Sequence, residues 1–215
     1  MKILVNKAHF PVTVLGPGTR VGIWLQGCTI RCQGCISRDT WPARPDSAIE
    51  VADLLDWVRG LSSTQVDGVT ISGGEPFDQP AALLELLTGL SAWRAELDHP
   101  ADLLAYSGRP MKQLRTGFAD VLSLLDAVVP EPFVQGAPTN QALRGSANQH
   151  VVPLTSLGHH RYTGTSLDDQ RAQIQLEVDH ETIWFIGIPR QGDMARMTER
   201  AAEAGITWKR TSWLT

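Results

Sequence analysis

Short apolar runs alternate along this chain with stretches in which apolar residues recur every three or four positions. Val21-Gly22-Ile23-Trp24-Leu25 is the first run, and it reads as a buried strand. After Pro45-Asp46-Ser47, the residues Val51, Leu54, Leu55 and Val58 fall at i, i+3, i+4 and i+7, which is one face of a helix. Ser47 and Glu50 have the spacing of a capping box and predict that this helix starts just after Ser47. Gly68-Val69-Thr70-Ile71-Ser72 reads as a strand, and the next helix starts near Asp78 and Pro80 with Leu83, Leu86, Leu87 and Leu90 as its stripe. Leu103-Leu104-Ala105-Tyr106, Ala127-Val128-Val129, His150-Val151-Val152 and Thr182-Ile183-Trp184-Phe185-Ile186 read as further strands. A last helix carries Met194, Met197 and Ala201 inward and stops at Gly205. Ala137 to Arg144 and Thr155 to Asp169 read as loops.

Strands alternating with helices predict an α/β fold with a largely parallel sheet and crossover helices. The chain has 215 residues and no internal repeat, so one domain spanning 1–215 is expected. In such folds, sites collect at the C-terminal ends of the strands. Three unusual segments follow strands here, and they are expected to converge on one face: the loop Cys28 to Cys35, the run Gly73-Gly74-Glu75-Pro76, and Ser107-Gly108.

The three cysteines are the only ones in the chain, and their spacing is C-x₃-C-x₂-C. Thiolates are soft ligands that favour iron–sulfur clusters, zinc and copper(I). Three thiolates on a four-iron cluster would leave one iron open to a substrate or cofactor, because a cubane normally takes four. A zinc site would need a fourth ligand, such as His9, His150, His159, His160 or His180. The odd count argues against a disulfide framework. The paired glycines let backbone approach a ligand closely, and Glu75 can accept hydrogen bonds from an ammonium group. The alternative for Glu75 is a solvated turn residue.

Composition narrows the classes. A net charge of -4 argues against a general nucleic-acid or anionic-membrane surface. No apolar stretch has the length of a membrane span, and the start Met1-Lys2-Ile3-Leu4 lacks the features of a secretion signal. A cytoplasmic protein with reduced thiols is expected.

C-x₃-C-x₂-C followed by Gly-Gly-Glu-Pro resembles the radical S-adenosylmethionine (SAM) superfamily, and most closely the activating enzymes of anaerobic ribonucleotide reductases. The resemblance spans roughly Val14 to Val152. Thr40-Trp41, Tyr106-Ser107-Gly108, Glu131-Pro132-Phe133-Val134 and Arg144-Gly145-Ser146-Ala147-Asn148-Gln149 also match that group. Gln33, Ser37 and the turn Val128-Val129-Pro130-Glu131-Pro132-Phe133 depart from it, the last replacing an Asp-Gly-Pro-Phe-like turn.

The resemblance implies a partial, open (βα) barrel with core motifs at about 14–152. A C-terminal strand–helix–strand extension at about 170–215 would follow. It implies that Cys28, Cys32 and Cys35 bind a [4Fe–4S] cluster. Gly73, Gly74 and Glu75 would orient SAM, with Tyr106, Ser107, Ser146 and Asn148 as further cofactor contacts. SAM would be cleaved reductively to a 5′-deoxyadenosyl radical that takes a hydrogen from a glycine of a partner enzyme, such as an anaerobic ribonucleotide reductase. A reductant protein such as a flavodoxin would supply the electron, and no acid–base residue is required. Two other readings stay open: a small radical SAM enzyme acting on a metabolite or peptide, similar to 7-carboxy-7-deazaguanine synthase, and a non-catalytic metal-binding module. An activase should have an open cleft above the cysteine loop, with the segment Thr155 to Asp169 at its rim.

Overall fold

The computed structural model describes residues 1–61, 65–164, 174–179 and 182–213. Its centre is a seven-stranded mixed sheet. β2 (Arg20–Leu25), β4 (Gly68–Gly73), β5 (Asp102–Tyr106) and β6 (Ala127–Val129) lie side by side and parallel. β1 (Lys2–Val12) pairs antiparallel with β2 and carries β3 (Ala48–Glu50) on its outer edge. β7 (Val152–Pro153) pairs antiparallel with β6 at the other edge. A separate hairpin is formed by β8 (Ile174–Asp179) and β9 (Thr182–Gly187).

Parallel neighbours require crossovers, and the helices supply them. α1 (Val51–Gly60) and α2 (Pro80–Arg94) connect the first parallel strands. α3 (Met111–Gly117) and α4 (Ala119–Leu122) lead from β5 into β6. The apolar stripes fall where the periodicity puts them. Val51, Leu54, Leu55 and Val58 of α1 and Leu83, Leu86, Leu87 and Leu90 of α2 are buried in one core with Ile23, Leu25, Val69, Ile71, Leu103 and Val128 of the sheet. Residues one step along the same strands point to the opposite face. There Leu104, Ala127 and Val129 pack with Leu143 and Tyr162, and Trp24 packs with Val12, Leu15 and Ile186 of the hairpin.

Several expectations change. The helix after Ser47 starts at Val51, because Ala48–Glu50 is extended and pairs with β1. The Ser47 hydroxyl donates to the Arg44 carbonyl instead of capping the helix. β1 carries Lys2, Asn6, Lys7 and His9 among its apolar residues, and most of its length is only half-buried, which hides it from a search for apolar runs. The supposed loop from Thr155 contains α5 (Ser156–Tyr162), capped by the Thr155 hydroxyl, which accepts the Gly158 N–H at 3.1 Å. Residues 165–169 of that stretch lie outside the described residues. The late segment runs strand, strand, helix: β8 and β9 precede α6 (Asp193–Glu203), which ends before Gly205 at φ 77. Among the described residues, no helix is long and apolar enough to cross a membrane.

A buried ion pair closes the N-terminal ends of the three central strands. The Arg20 guanidinium donates to both oxygens of Asp102 at 2.9 Å each, and both side chains are fully buried. Arg20 Nε also donates to Thr70 Oγ1 at 2.7 Å. A Cβ on Gly68 would stand 2.5 Å from the guanidinium, so only glycine fits between the strands at that point. Arg161 and the Tyr162 hydroxyl of α5 complete the hydrogen bonds to Asp102.

Burial pushes the Asp102 carboxyl upward, but Arg20, Tyr162 and Arg161 outweigh it and hold the group below its ordinary value. Its folded-state value therefore lies below its unfolded one. The pair stabilises the fold fully above about pH 4, and that contribution is lost as pH falls through the depressed value. Asp102→Asn is expected to lower stability by about 3–5 kcal/mol, because Arg20 keeps its buried charge without a counter-charge. The variant should also lose the part of the acid dependence that Asp102 contributes, so that its stability difference from the wild type narrows as pH falls, measured by urea unfolding across acidic pH.

Candidate functional site

β2, β4 and β5 are of nearly equal length and start in register, with Arg20 opposite Gly68 and Gly68 opposite Asp102. They therefore end at one level, and the cysteine loop, the Gly-Gly loop and Ser107-Gly108 emerge together. All three segments line one cavity of about 220 Å³.

The cysteine loop is held by backbone. The Gly27 N–H donates to the Thr40 carbonyl at 2.7 Å, and the Cys28 N–H to that of Trp41 at 3.1 Å. The Glu75 N–H donates to the Gly27 carbonyl at 2.8 Å, which joins this loop to the next one. A Cβ on Gly74 would stand 2.0 Å from the Gly27 oxygen. The close approach expected of the paired glycines is thus made first to the neighbouring backbone.

Glu75 is not a solvated turn residue. It is 1% exposed. One carboxylate oxygen accepts the Phe77 N–H at 3.0 Å and the Ser107 hydroxyl at 2.9 Å, and the other accepts the Gly108 N–H at 2.7 Å. Burial pushes its carboxyl up, and these donors pull it back only in part. A carboxylate offers about four acceptor positions, so about one is left, and the residue lines the cavity.

Asp78, which in the sequence marks only a helix start, has a second role. It accepts the Thr29 N–H at 2.7 Å and the Thr29 hydroxyl at 3.0 Å, and it pairs with Arg109. One carboxylate thereby ties together the cysteine loop, the Gly-Gly-Glu-Pro loop and the segment after β5. Its only sequence signal is its position three residues beyond Glu75.

The remaining expected residues divide. Tyr106 lines the cavity and donates its hydroxyl to the Leu143 carbonyl at 3.2 Å. Ser107 lines it as well, between Glu75 and the Arg109 N–H. Ser146 and Asn148 do not line it: the Ser146 hydroxyl accepts the Val134 N–H at 3.0 Å, and the Asn148 amide donates to the Pro132 carbonyl at 2.9 Å. From that element, Gly145 and Gln149 face the cavity instead. Glu131 also lines the cavity, and the sequence reading had given it no role. It sits at φ 83, in the position where the related pattern has glycine, and accepts the Met111 N–H at 3.1 Å. Gly187 at the end of β9, with Ile188 and Pro189 after it, also lines the cavity. α5 packs at the Asp102 end of the sheet, so the segment beginning at Thr155 is not the rim among the described residues.

All three cysteines are free, half-buried and on the cavity wall. Burial pushes the Cys28 and Cys35 thiols up. The Ser37 N–H donates to the Cys35 sulfur at 3.4 Å. His9, His150, His159 and His160 do not line this cavity, and His180 lies outside the described residues. Among the described residues, no three Cys, His, Asp or Glu side chains stand close enough to share one metal ion. A four-iron cluster makes a different demand, since each thiolate binds a different iron. Three soft donors around one cavity fit that group.

The model of the 4Fe-4S single cluster domain family matches residues 14–152. The chain belongs to this family. The anaerobic ribonucleoside-triphosphate reductase-activating protein of Escherichia coli (strain K12) is 29% identical over 150 residues, 68% of this chain and 96% of that protein. The protein of the same name from Enterobacteria phage T4 is 27% identical over 138 residues, 64% and 86% of the two chains. Among solved structures, QueE from Escherichia coli overlaps 60% of this chain and 70% of its own, at 20% identity and a TM-score of 0.43. The family span contains every cysteine and the whole Gly73–Asp78 loop. It stops before α5 and the β8–β9 hairpin.

Two substitutions follow from this geometry. Glu75→Gln places an NH₂ against the Gly108 N–H or the Phe77 N–H and is expected to cost on the order of 1–3 kcal/mol in urea unfolding of the metal-free chain; unchanged stability would show that the carboxylate is not integral to the loop. Asp78→Ala should leave the fold intact but raise the alkylation rate of Cys28 severalfold, measured by mass spectrometry. An unaltered rate would mean that the backbone bonds from Gly27 and Cys28 hold the loop alone.

Proposed function

We propose that this chain is a radical SAM enzyme that generates a glycyl radical on a partner enzyme, with an anaerobic ribonucleotide reductase as the simplest target. The observation that carries the proposal is the lining of the cysteine cavity. Among the described residues it holds three thiols, two carboxylates (Glu75 and Glu131) and no Lys, Arg or His. SAM carries a sulfonium and an ammonium, and such a wall favours cations and disfavours an anionic metabolite. The names of the Escherichia coli and phage T4 proteins support the choice of partner.

In this reading Cys28, Cys32 and Cys35 hold the cluster, and the chemistry it supplies when bound is one-electron cleavage of SAM to methionine and a 5′-deoxyadenosyl radical. The remaining acceptor position of Glu75 takes the ammonium, oriented by Gly73, Gly74 and Ser107. Ile30, Ile36 and Phe133 give the cavity an apolar wall that excludes water. Tyr106 flanks the cofactor. Ser146 and Asn148 act one step back by holding the turn that presents Gly145 and Gln149. The parallel strands form the wall of a partial, open (βα) barrel, and its open side admits the partner's glycine loop. A one-electron reductant protein such as a flavodoxin is the second partner. A cytoplasmic location, where thiols stay reduced, fits this reading.

Anaerobically reconstituted chain is expected to bind about four irons with matching sulfide. With a chemical reductant it should convert SAM to methionine and 5′-deoxyadenosine, measured by chromatography. Cys32→Ala should lose the iron while keeping its helical circular dichroism, because the Leu- and Val-lined core does not depend on the loop. Stoichiometric zinc without sulfide would overturn the proposal.

A further inference from the structure

The outer side of the cysteine loop is basic, although the chain as a whole carries a net charge of -4. A groove of about 520 Å³ runs between this loop and the tail after α6, lined by Arg31, Arg38, Arg44 and Arg210 around Trp41. Among the described residues its one carboxylate is Asp39, which already pairs with Lys7 at 3.3 Å. Among the described residues, none of the four arginines has a carboxylate partner. Arg20, Arg59, Arg94, Arg109, Arg161, Arg196 and Arg200 all do, while Arg115, Arg144 and Arg190, which also have none, do not line the groove. Four unpaired guanidiniums close together repel one another, so the groove is poised for an anionic partner.

Its position says which partner. Arg31 lies between Cys28 and Cys32. The Arg38 guanidinium stands over the Trp41 ring at 5.2 Å, and Trp41 lines both the groove and the cysteine cavity. The indole is thus the wall that the groove shares with the cysteines. The groove is composite: the Arg38 N–H donates to the Ser212 carbonyl at 3.0 Å, so the tail supplies Arg210 as part of one surface. That tail lies outside the family span of 14–152.

We propose that this arginine groove docks the acidic face of a one-electron carrier protein, placing the carrier against the wall that Trp41 shares with the cysteine cavity. The proposal rests on the radical SAM reading of the site. In the step, a flavin hydroquinone on the carrier becomes its semiquinone and the cluster gains one electron. No bond of this chain forms or breaks. Opposite charges across the contact raise the association rate and make it fall with salt.

The test uses the full reconstituted chain and an acidic flavodoxin as probe. Binding of oxidised flavodoxin is measured by titration calorimetry, and cluster reduction by the photoreduced protein is followed by visible bleaching. Photoreduced deazaflavin serves as a small reductant that needs no docking. Arg44→Glu with Arg210→Glu is expected to weaken flavodoxin binding and slow its reduction of the cluster by roughly tenfold or more at low salt. Most of that difference should vanish at high salt, with iron content and reduction by deazaflavin unchanged. Arg44→Gln with Arg210→Gln should show a smaller loss of the same kind and serves if the reversed pair does not fold.

Unchanged flavodoxin binding in both pairs overturns the proposal, as does an equal loss with deazaflavin. Tight, salt-sensitive binding of a mixed-sequence single-stranded oligonucleotide that displaces flavodoxin would also overturn it, in favour of nucleic acid. The two readings fail separately. SAM cleavage under deazaflavin with no effect of the arginines removes the docking surface alone. Arginine-dependent flavodoxin binding without any SAM cleavage removes the radical SAM reading alone.

Discussion

The site depends on a pair of side chains at the far end of the sheet from it. Arg20 and Asp102 meet where β2, β4 and β5 begin, and they fix which residues stand opposite each other. Strands of nearly equal length that start level must also end level. The cysteines, Glu75 and Ser107 are separated by tens of residues in the chain, yet they share one cavity for that reason. A buried ion pair is weak evidence for net stability, because desolvation offsets much of the attraction. Its value here is in register, since a slip of one residue would turn side chains from one face of the sheet to the other.

The cysteine loop has two electrostatic sides. Toward the cavity it faces Glu75 and Glu131. Toward solvent it faces Arg31, Arg38 and Arg44. A cationic ligand is favoured on one side and an anionic surface on the other, with the thiols between them. The late hairpin and tail touch both sides, through Gly187–Pro189 in the cavity lining and Arg210–Ser212 at the groove. Residues outside the family span therefore shape both approaches to the cysteines.

Much of this was legible in the sequence, and the rest was hidden for identifiable reasons. The Leu stripe of α2 and the strands around Ile71 and Val128 were legible because burial on one face imposes a period. The convergence of three loops followed from the rule that parallel strands carry sites at their C-terminal ends. β1 was missed because its half-buried side chains include lysine, asparagine and histidine. α5 was missed because seven residues with a glycine and two histidines show no apolar period. Ser146 and Asn148 were chosen over Gly145 and Gln149 because a turn has no periodicity to tell its inner side from its outer one. Apart from the Phe77 N–H, the partners of Glu75 and Asp78 lie about thirty or more residues away, and no local pattern reports them.

The bond from the Glu75 N–H to the Gly27 carbonyl, with Gly74 pressed against the same oxygen, makes two loops into one part. Neither can be redesigned alone. A cysteine loop moved into another scaffold would lose the backbone that shapes it unless Gly73–Asp78 and the Thr40–Trp41 carbonyls travelled with it. The transferable unit is therefore three discontinuous pieces of chain held at a fixed height. A scaffold suited to receive it must already offer parallel strands ending in step, which narrows the choice of host more than the three cysteines themselves do.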